Sequence, residues 1–241
     1  MVARLDIPGT YNFREVAVAV DGGAVRPGRL YRSDALSRLT PAGRAALAAL
    51  GVHRVIDLRG GLDRRLGGRD RLRGTGVHLV RIPVLAGAAP RDAATLCLAS
   101  LYRRVLTEYG TEVGAAIRCV ADAGGPVVVH CTAGKDRTGL VIALVLLALG
   151  ADPDDVAADY AATESHLAGE WSTRTLRRLR LLGVRLTDGL VEVVTGSPEA
   201  ALRDTLVWLD ATYGGWRPYL ASIGVDDEVV RDLRAALVDP R

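Results

Sequence analysis

The pattern of apolar and polar positions along this chain of 241 residues predicts strands that alternate with helices at first, and helices alone later. Short β-branched runs are typical of strands, and apolar residues three and four apart are typical of helices. The strands are expected at residues 16–20, 25–31, 52–58, 77–83 and 126–130. This order indicates one α/β domain over residues 1–241, with a mixed, mostly parallel central sheet flanked by helices and a helical C-terminal part.

Turn and capping signals set the expected boundaries of these elements. Asp21-Gly22-Gly23 predicts a hairpin turn, and Pro27 places the second strand at a sheet edge. Thr40-Pro41, Asp152-Pro153 and Asp226 predict helix starts. Residues 60–76, rich in glycine and arginine, predict a loop or a frayed helix with a solvated face. The helices are expected at 41–51, 93–109, 112–123, 137–149, 152–167, 170–194 with a break at Gly183, 197–213 and 226–237.

One stretch combines a strand, a small polar loop and a helix that is apolar all round. Residues 126–130 form the strand, residues 131–137 the loop, and residues 140–149 the buried part of the helix. A glycine-containing loop between a strand and a helix N-terminus is a site for a phosphate group. This stretch is therefore the candidate functional site.

The loop has a cysteine at one end and an arginine at the other, so it could catalyse a reaction on the phosphate group that it binds. The helix N-terminus lowers the pKa of the Cys131 thiol, and the thiolate is the reactive form. The N–H groups of residues 132–137 are expected to surround three phosphate oxygens, and Gly134 lets the backbone turn. Arg137 would form a bidentate pair with two oxygens. Attack by sulfur would produce a phosphocysteine intermediate.

Such a reaction also needs a proton for the leaving oxygen and a base for water. Asp136, inside the loop, and Asp57, at the end of a predicted strand, are the two candidates. The hydroxyl of Thr138 would hydrogen-bond the sulfur of Cys131, and His130 would fix the loop by hydrogen bonds.

Composition adds one functional residue and excludes several classes of protein. Lysine and arginine together number 31, yet Lys135 in the loop is the only lysine, which indicates a specific role. The net charge is +3, and the arginine clusters accompany no nucleic-acid reading element. No apolar run is long enough to span a bilayer, and the N-terminus has no apolar signal core. A cytoplasmic location is therefore expected by default, and non-classical export stays open as an alternative.

The three cysteines have neither an even count nor metal-type spacing. Cys131 is therefore expected to be a free thiol, and Cys97 and Cys119 to be buried in helices. No metal and no cofactor are expected.

The sequence HCTAGKDRTG at residues 130–139 resembles the signature of cysteine-dependent phosphatases, and in particular of a bacterial tyrosine/serine phosphatase family with members that also act on phosphoinositides. Segments around Asn12-Phe13-Arg14, Leu30-Tyr31-Arg32-Ser33 and Val55-Ile56-Asp57-Leu58-Arg59 agree, so the resemblance covers nearly the whole chain.

The resemblance implies a cysteine-phosphatase fold, Asp136 as the general acid and residues 170–195 as a mobile helical lid. It places Lys135 against extra phosphates of an inositol ring. Further phosphate or substrate ligands are expected among loop residues and matching arginines, namely Thr132, Ala133, Gly134, Lys135, His130, Arg59 and Arg14.

The expected activity is hydrolysis of phosphoprotein monoesters by a tyrosine/serine phosphatase, with inorganic phosphate as the product. Three alternatives stay open. The main substrate would be a phosphoinositide in the first, the chain would bind phosphate without catalysis in the second, and Cys131 would carry a persulfide as a sulfurtransferase in the third. Asp136 and Thr138 have no role in the third.

Overall fold

A five-stranded sheet lies at the centre of the computed structural model, which describes residues 4–85 and 97–238. Its strands, in spatial order, are β1 (Arg14–Glu15), β4 (Leu30–Ser33), β7 (Val127–His130), β5 (Arg54–Asp57) and β6 (His78–Arg81). All neighbours are parallel except β1, which runs antiparallel to β4 at the edge. The predicted mixed, mostly parallel sheet is therefore confirmed.

The predicted hairpin is present but smaller than expected. Strands β2 (Ala19–Val20) and β3 (Gly23–Ala24) form a separate two-stranded sheet, with Asp21 and Gly22 at the turn. The second predicted strand, residues 25–31, is divided because Pro27 and Gly28 interrupt it, and Gly28 has a φ of 78°. Its last residues belong to β4, which is an inner strand and not the expected edge.

The helices follow the predicted order, with differences at some boundaries. Residues 61–67 form a helix, one of the two alternatives predicted for residues 60–76, and residues 216–222 form a helix that the sequence did not predict. Residues 93–96 of one predicted helix lie outside the described residues. The helices are α1 (Pro41–Ala49), α2 (Gly61–Gly67), α3 (Leu98–Glu108), α4 (Gly110–Ala121), α5 (Asp136–Ala148), α6 (Pro153–Leu167), α7 (Glu170–Leu181), α8 (Asp188–Thr195), α9 (Glu199–Tyr213), α10 (Trp216–Ser222) and α11 (Asp227–Leu237), besides a 3₁₀ turn at Leu36–Arg38.

The three predicted helix starts are confirmed by side-chain caps. The Thr40 hydroxyl accepts a hydrogen bond from the backbone N–H of Gly43 at 3.0 Å. Asp152 caps α6 and Asp226 caps α11 in the same way, through carboxylate oxygens. Each cap satisfies N–H groups that have no partner within the helix.

Apolar residues on the two faces of the sheet belong to two separate clusters. Val127 and Val129 of β7 join the larger cluster with α5, whereas Val128 joins the smaller one under α1. Every residue of α5 from Thr138 onward is buried, as the apolar sequence predicted. The position of the α5 N-terminus relative to β7 is therefore set by packing on all sides of the helix.

All three cysteines are free thiols. Cys131 is buried and Cys119 is half-buried, but Cys97 is exposed, so its predicted burial is wrong. Cys97 lies at the N-terminal cap of α3, one residue before Leu98, the first buried residue of that helix. Within the described ranges, no helix is both long and apolar enough to cross a membrane.

Candidate active site

The loop of residues 131–135 joins the end of β7 to the start of α5, as predicted. Gly134 has a φ of 68°, and a Cβ atom there would lie 2.3 Å from the carbonyl oxygen of Ser33. Both facts exclude a larger residue. The loop therefore turns tightly against the end of β4.

Three carbonyl groups of the loop accept hydrogen bonds from neighbouring segments of the chain. The carbonyl of Thr132 accepts from the N–H of Ala35 at 3.1 Å. The Asn12 amide donates to the carbonyls of Ala133 and Gly134, at 3.0 and 3.2 Å. Because C=O and N–H point in opposite directions in a trans peptide, the N–H group of each of these peptide units points away from the donor that its carbonyl accepts from. Loops whose N–H groups are left unpaired in this way are typical of anion sites.

Two buried arginines support the loop from behind. Arg32 donates to the carbonyl of Gly134 at 3.0 Å and also pairs with Asp159. Arg14 donates to the Asp159 carbonyl oxygen at 3.0 Å and to the Thr163 hydroxyl at 2.8 Å. Burial and then the charge of Arg32 lower the pKa of Arg14 to about 9, although Asp159 acts in the opposite direction. Arg14 therefore lies behind the loop and not in the expected position against substrate.

Cys131 lies at the bottom of the loop with 2 % of its surface exposed. Burial raises the pKa of its thiol, but the charge of Arg137 and hydrogen bonds from the hydroxyl and N–H of Thr138 lower it further than burial raises it. The pKa therefore lies below the ordinary value. Within the described residues, the buried Thr138 hydroxyl bonds no other group, so it is free to act on the sulfur.

Arg137 is held in place by a carboxylate that the sequence analysis did not single out. Its Nη1 atom donates to Asp63 Oδ2 at 2.7 Å, and its Nη2 atom lies 3.3 Å from the Thr132 hydroxyl oxygen. Asp63 also accepts from the N–H of Gly60, which closes the first turn of α2. Asp63 binds Nη1 and Thr132 accepts from Nη2, so among the described residues Nε and the second N–H of Nη2 stay available for a bidentate contact.

Asp136 lines the pocket and accepts hydrogen bonds on one of its two oxygens. The Tyr102 hydroxyl donates to Oδ1 at 2.7 Å, and Lys135 Nζ lies 3.3 Å from the same atom. The Tyr160 hydroxyl contacts Tyr102 in turn. Burial, and then the charge of Asp136, keep the pKa of Tyr102 well above its ordinary value, so Tyr102 is a donor. Among the described residues, no hydrogen bond is made by the Oδ2 atom, which could therefore face a substrate oxygen.

Lys135 is buried and directed away from the loop, toward the helices after it. Its ammonium donates to the carbonyl oxygens of Val193 and Gly196, at 2.7 and 2.6 Å. These carbonyls belong to the C-terminal end of α8, where a cation is favoured. These two carbonyls and the carboxylate of Asp136 are partners for all three N–H donors of the ammonium. The lysine therefore connects the loop to α8, whereas the resemblance implied a contact with substrate.

Helices α7 and α8 lie over the loop and enclose a cavity of about 410 Å³. Neither helix contains a buried residue. This placement agrees with the predicted lid over residues 170–195, while its mobility stays a prediction. The cavity is lined by loop, lid and neighbouring residues, which include Tyr11, Asp34, Thr132, Ala133, Asp136, Trp171, Arg174, Thr175, Arg178, Leu179, Val193 and Val194.

Asp57 and Arg59 belong to a second buried network and do not line this cavity. Asp57 accepts three hydrogen bonds from Arg59, and Arg59 also pairs with Asp70 at 2.8 Å. His130 Nδ1 lies 3.1 Å from the Cys131 carbonyl oxygen, and Nε2 lies 3.3 Å from Asp70. Burial lowers the pKa of His130, but Asp70 and Asp57 together raise it above its ordinary value.

This network corrects two expectations and agrees with a third. Asp57 is fully buried, so it has no access to a leaving group, and Arg59 has none to a phosphate. His130 fixes the loop, as the sequence indicated. Ligand atoms of Asp57, Asp70 and His130 converge within 4.8 Å. The guanidinium of Arg59 already bonds both carboxylates, which does not suit a metal ion.

A low-pKa thiol in an anion-binding loop between a parallel strand and a helix N-terminus defines a cysteine-dependent phosphatase site. Residues 5–239 match the model of the tyrosine phosphatase family. The chain belongs to this family of phosphoric monoester hydrolases, and it is a protein phosphatase.

Two curated relatives match this chain over most of its length, and one solved structure is reported beside them as a weaker similarity. The triple specificity protein phosphatase PtpB of Mycobacterium tuberculosis is 35% identical over 277 residues, which cover 97% of this chain and 98% of the relative. A tyrosine-protein phosphatase of Nostoc commune is 30% identical over 86% of this chain and 73% of the relative. The crystal structure of TpbA from P. aeruginosa shares 22% identity at a TM-score of 0.42, over 80% of this chain and 95% of that chain.

The conformation of Gly134 makes a first prediction. Gly134→Ala should lower activity at least about a hundredfold, because the displaced loop no longer presents its N–H donors. The control is Gly61→Ala, where an added Cβ meets no atom within 4 Å. Hydrolysis of p-nitrophenyl phosphate by the two variants measures the difference, and near-normal activity of Gly134→Ala would contradict the described loop.

The low pKa of Cys131 makes a second prediction. Thr138→Val removes a hydrogen bond to the sulfur, so the thiol should ionise at higher pH than in the unchanged protein. The rate of alkylation by iodoacetamide across a pH series measures this midpoint. Thr205→Val is the matched control, since its hydroxyl bonds only Ala201 O within α9. An unchanged midpoint in Thr138→Val would show that the hydroxyl does not act on the thiolate.

Proposed function

We propose that this phosphatase hydrolyses phosphotyrosine, and phosphoserine or phosphothreonine more slowly, through a phosphocysteine intermediate on Cys131. The observation that carries the proposal is the lowered thiol pKa inside a loop whose carbonyls accept hydrogen bonds from neighbouring segments of the chain. Loop N–H groups and Arg137 bind the phosphate oxygens and stabilise the charge of the transition state.

The proposed reaction has two steps. Cys131 Sγ forms a bond to phosphorus while the bond from phosphorus to the substrate oxygen breaks, and Asp136 Oδ2 gives its proton to that oxygen. Water then attacks phosphorus and returns a proton to Asp136, and the Cys131 thiolate leaves. The Thr138 hydroxyl stabilises this leaving thiolate. Tyr102 and Lys135 hold Asp136 with Oδ2 toward the substrate.

Asp63 is proposed as a positioning residue for Arg137. A guanidinium with Nη1 fixed by a carboxylate loses less rotational freedom when it binds phosphate. Since Asp63 belongs to α2, which the lid contacts through Arg178, the position of α2 affects the phosphate site.

The contacts of Lys135 are relevant to whether a phosphoinositide is the main substrate. In the described conformation its three donors are used by Val193, Gly196 and Asp136. A second phosphate would have to displace α8 before it could bind this lysine, so we propose a monophosphorylated side chain as the main substrate. The name of the mycobacterial relative supports a wider range as a secondary activity.

Variants of Asp136 and Asp57 test which of the two is the general acid. Asp136→Asn should slow hydrolysis of phenyl phosphate, a poor leaving group, by about 10²- to 10⁴-fold. It should slow hydrolysis of p-nitrophenyl phosphate much less, because that leaving group needs little protonation. Asp57→Asn is the matched control and should reduce stability without this selectivity. The assignment is wrong if Asp57→Asn shows the selectivity and Asp136→Asn does not.

A variant of the nucleophile tests the covalent step. Cys131→Ser should have no measurable turnover, because an unactivated hydroxyl is a poor nucleophile. It should still bind inorganic phosphate, since the N–H donors and Arg137 are unchanged. Isothermal calorimetry and a turnover assay on the same sample separate the two properties, and turnover by Cys131→Ser would refute the mechanism.

A variant of Lys135 tests the connection between loop and lid. Lys135→Met keeps the length of the side chain but leaves the carbonyls of Val193 and Gly196 unpaired, so α8 should separate from the loop more often. Amide hydrogen exchange in residues 170–195 should become faster, while exchange in α5 stays slow. Arg231→Met, on the exposed face of α11, is the control. Equal exchange in both variants would show that Lys135 does not hold the lid.

A further inference from the structure

Exposed leucines gather on the two helices at the mouth of the cavity. Of the five large apolar side chains that are strongly exposed in the described residues, Leu62 and Leu66 lie on α2, and Leu181 and Leu182 lie at the end of α7. Their exposed fractions are 51%, 53%, 78% and 62%. An apolar patch of this kind on a monomer commonly marks an interaction site.

The two pairs of leucines are parts of one surface. Leu62 and Leu66 are one helical turn apart, and Arg178 of α7 donates to the carbonyl of Leu66 at 2.5 Å. Leu181 and Leu182 follow Arg178 by three and four residues, so they lie on the same side of α7. Arg178 also lines the cavity. We call this surface, formed by α2 and α7 with the residues that follow each helix, the lid–α2 face.

Arginines surround the leucines on this face and are mostly unneutralised. Arg65, Arg69 and Arg71 on or after α2, and Arg177, Arg178 and Arg180 on α7, are all exposed. The two acids of the α2 segment are already used, since Asp63 pairs with Arg137 and Asp70 with Arg59. Residues 60–76 and 170–183 together contain nine arginines and three acidic residues, whereas the whole chain has a net charge of only +3, so positive charge is concentrated in these two segments.

We propose that the lid–α2 face docks on the surface of an anionic phospholipid bilayer. Arginines attract anionic headgroups, and leucines beside them enter the boundary of the acyl chains, a combination typical of helices that lie in the membrane interface. A second copy of this chain would bring like charges together. An acidic peptide would neutralise the arginines but leave the four leucines uncovered. An anionic bilayer would both neutralise the arginines and cover the leucines.

Docking in this orientation would place the mouth of the cavity at the membrane surface. The lid would then contact the bilayer before a substrate enters the cavity. The proposal does not depend on the catalytic roles assigned above, because it rests on residues of α2 and α7 that lie outside the loop.

Flotation of the purified full chain with lipid vesicles tests the proposal. The protein should float with phosphatidylcholine vesicles that contain phosphatidylserine and not with pure phosphatidylcholine vesicles, and added salt should release it. The double variant Leu181→Ser/Leu182→Ser should lose most binding. Arg177→Glu/Arg180→Glu should weaken binding by about fivefold for each arginine lost.

Matched controls separate this face from general effects. Val207→Ser removes an equally exposed apolar residue on α9, and Arg231→Glu an exposed arginine on α11, so both should bind vesicles normally. None of the substituted residues lines the cavity, so hydrolysis of soluble p-nitrophenyl phosphate should be unchanged in every variant. This readout reports correct folding.

Four results would overturn the proposal. These are no flotation with anionic vesicles, equal flotation with both vesicle types, equal loss in the control variants, and leucine variants that abolish a dimer or the binding of an acidic phosphopeptide while no vesicle binding exists. The last result would assign the face to a protein partner.

Discussion

Two buried guanidinium groups share one carboxylate behind the phosphate loop, and the shape of the loop depends on them. Arg32 pairs with the Asp159 carboxylate and donates to the carbonyl of Gly134. Arg14 donates to the backbone carbonyl of Asp159 and to the Thr163 hydroxyl, and its Nε atom lies 3.8 Å from the same carboxylate. Burying two such charges with one partner is unfavourable by itself. The arrangement holds the loop carbonyls back and leaves positive charge behind a site for an anion. A thiolate and a phosphate group are both stabilised by that charge.

The other parts of the site are positioned by elements that surround this loop. Helix α5 is buried on every side, so its N-terminus stays fixed below the phosphate position. Helix α2 supplies the carboxylate for Arg137, and α3 supplies the hydroxyl for Asp136. Among the described residues, Lys135 joins the loop to α8 through hydrogen bonds to the terminal carbonyls of that helix. The loop thus lies against buried elements, whereas α7 and α8 above it contain no buried residue.

Local sequence predicted the parts of the site that lie next to one another in the chain. Cys131, Gly134, Asp136, Arg137 and Thr138 were identified because a strand, a loop and a helix in that order bring them together. The same reasoning misplaced Arg14, Arg59 and Asp57, since a charged residue near a motif suggests a ligand, and only tertiary packing shows that it is buried against another charge.

Residues whose role depends on distant partners carried no signal in the sequence. Asp63 lies in a segment predicted as a loop or a frayed helix, and Tyr102 lies in an ordinary helical pattern. Nothing near Lys135 indicates that its partners are about sixty residues away. The helix at residues 216–222 was missed because glycines precede it and Pro218 lies within its first turn. Hairpin size and strand order likewise depend on pairing between segments far apart in the chain.

The covalent step is the central claim, and trapping the intermediate tests it most directly. The protein would be mixed with an aryl phosphate, denatured within the first turnover, digested and analysed by mass spectrometry. The account predicts one added phosphoryl group on the peptide that contains Cys131, located on its sulfur. A rapid turnover with no adduct on this peptide, or with the phosphoryl group on another residue, would contradict it.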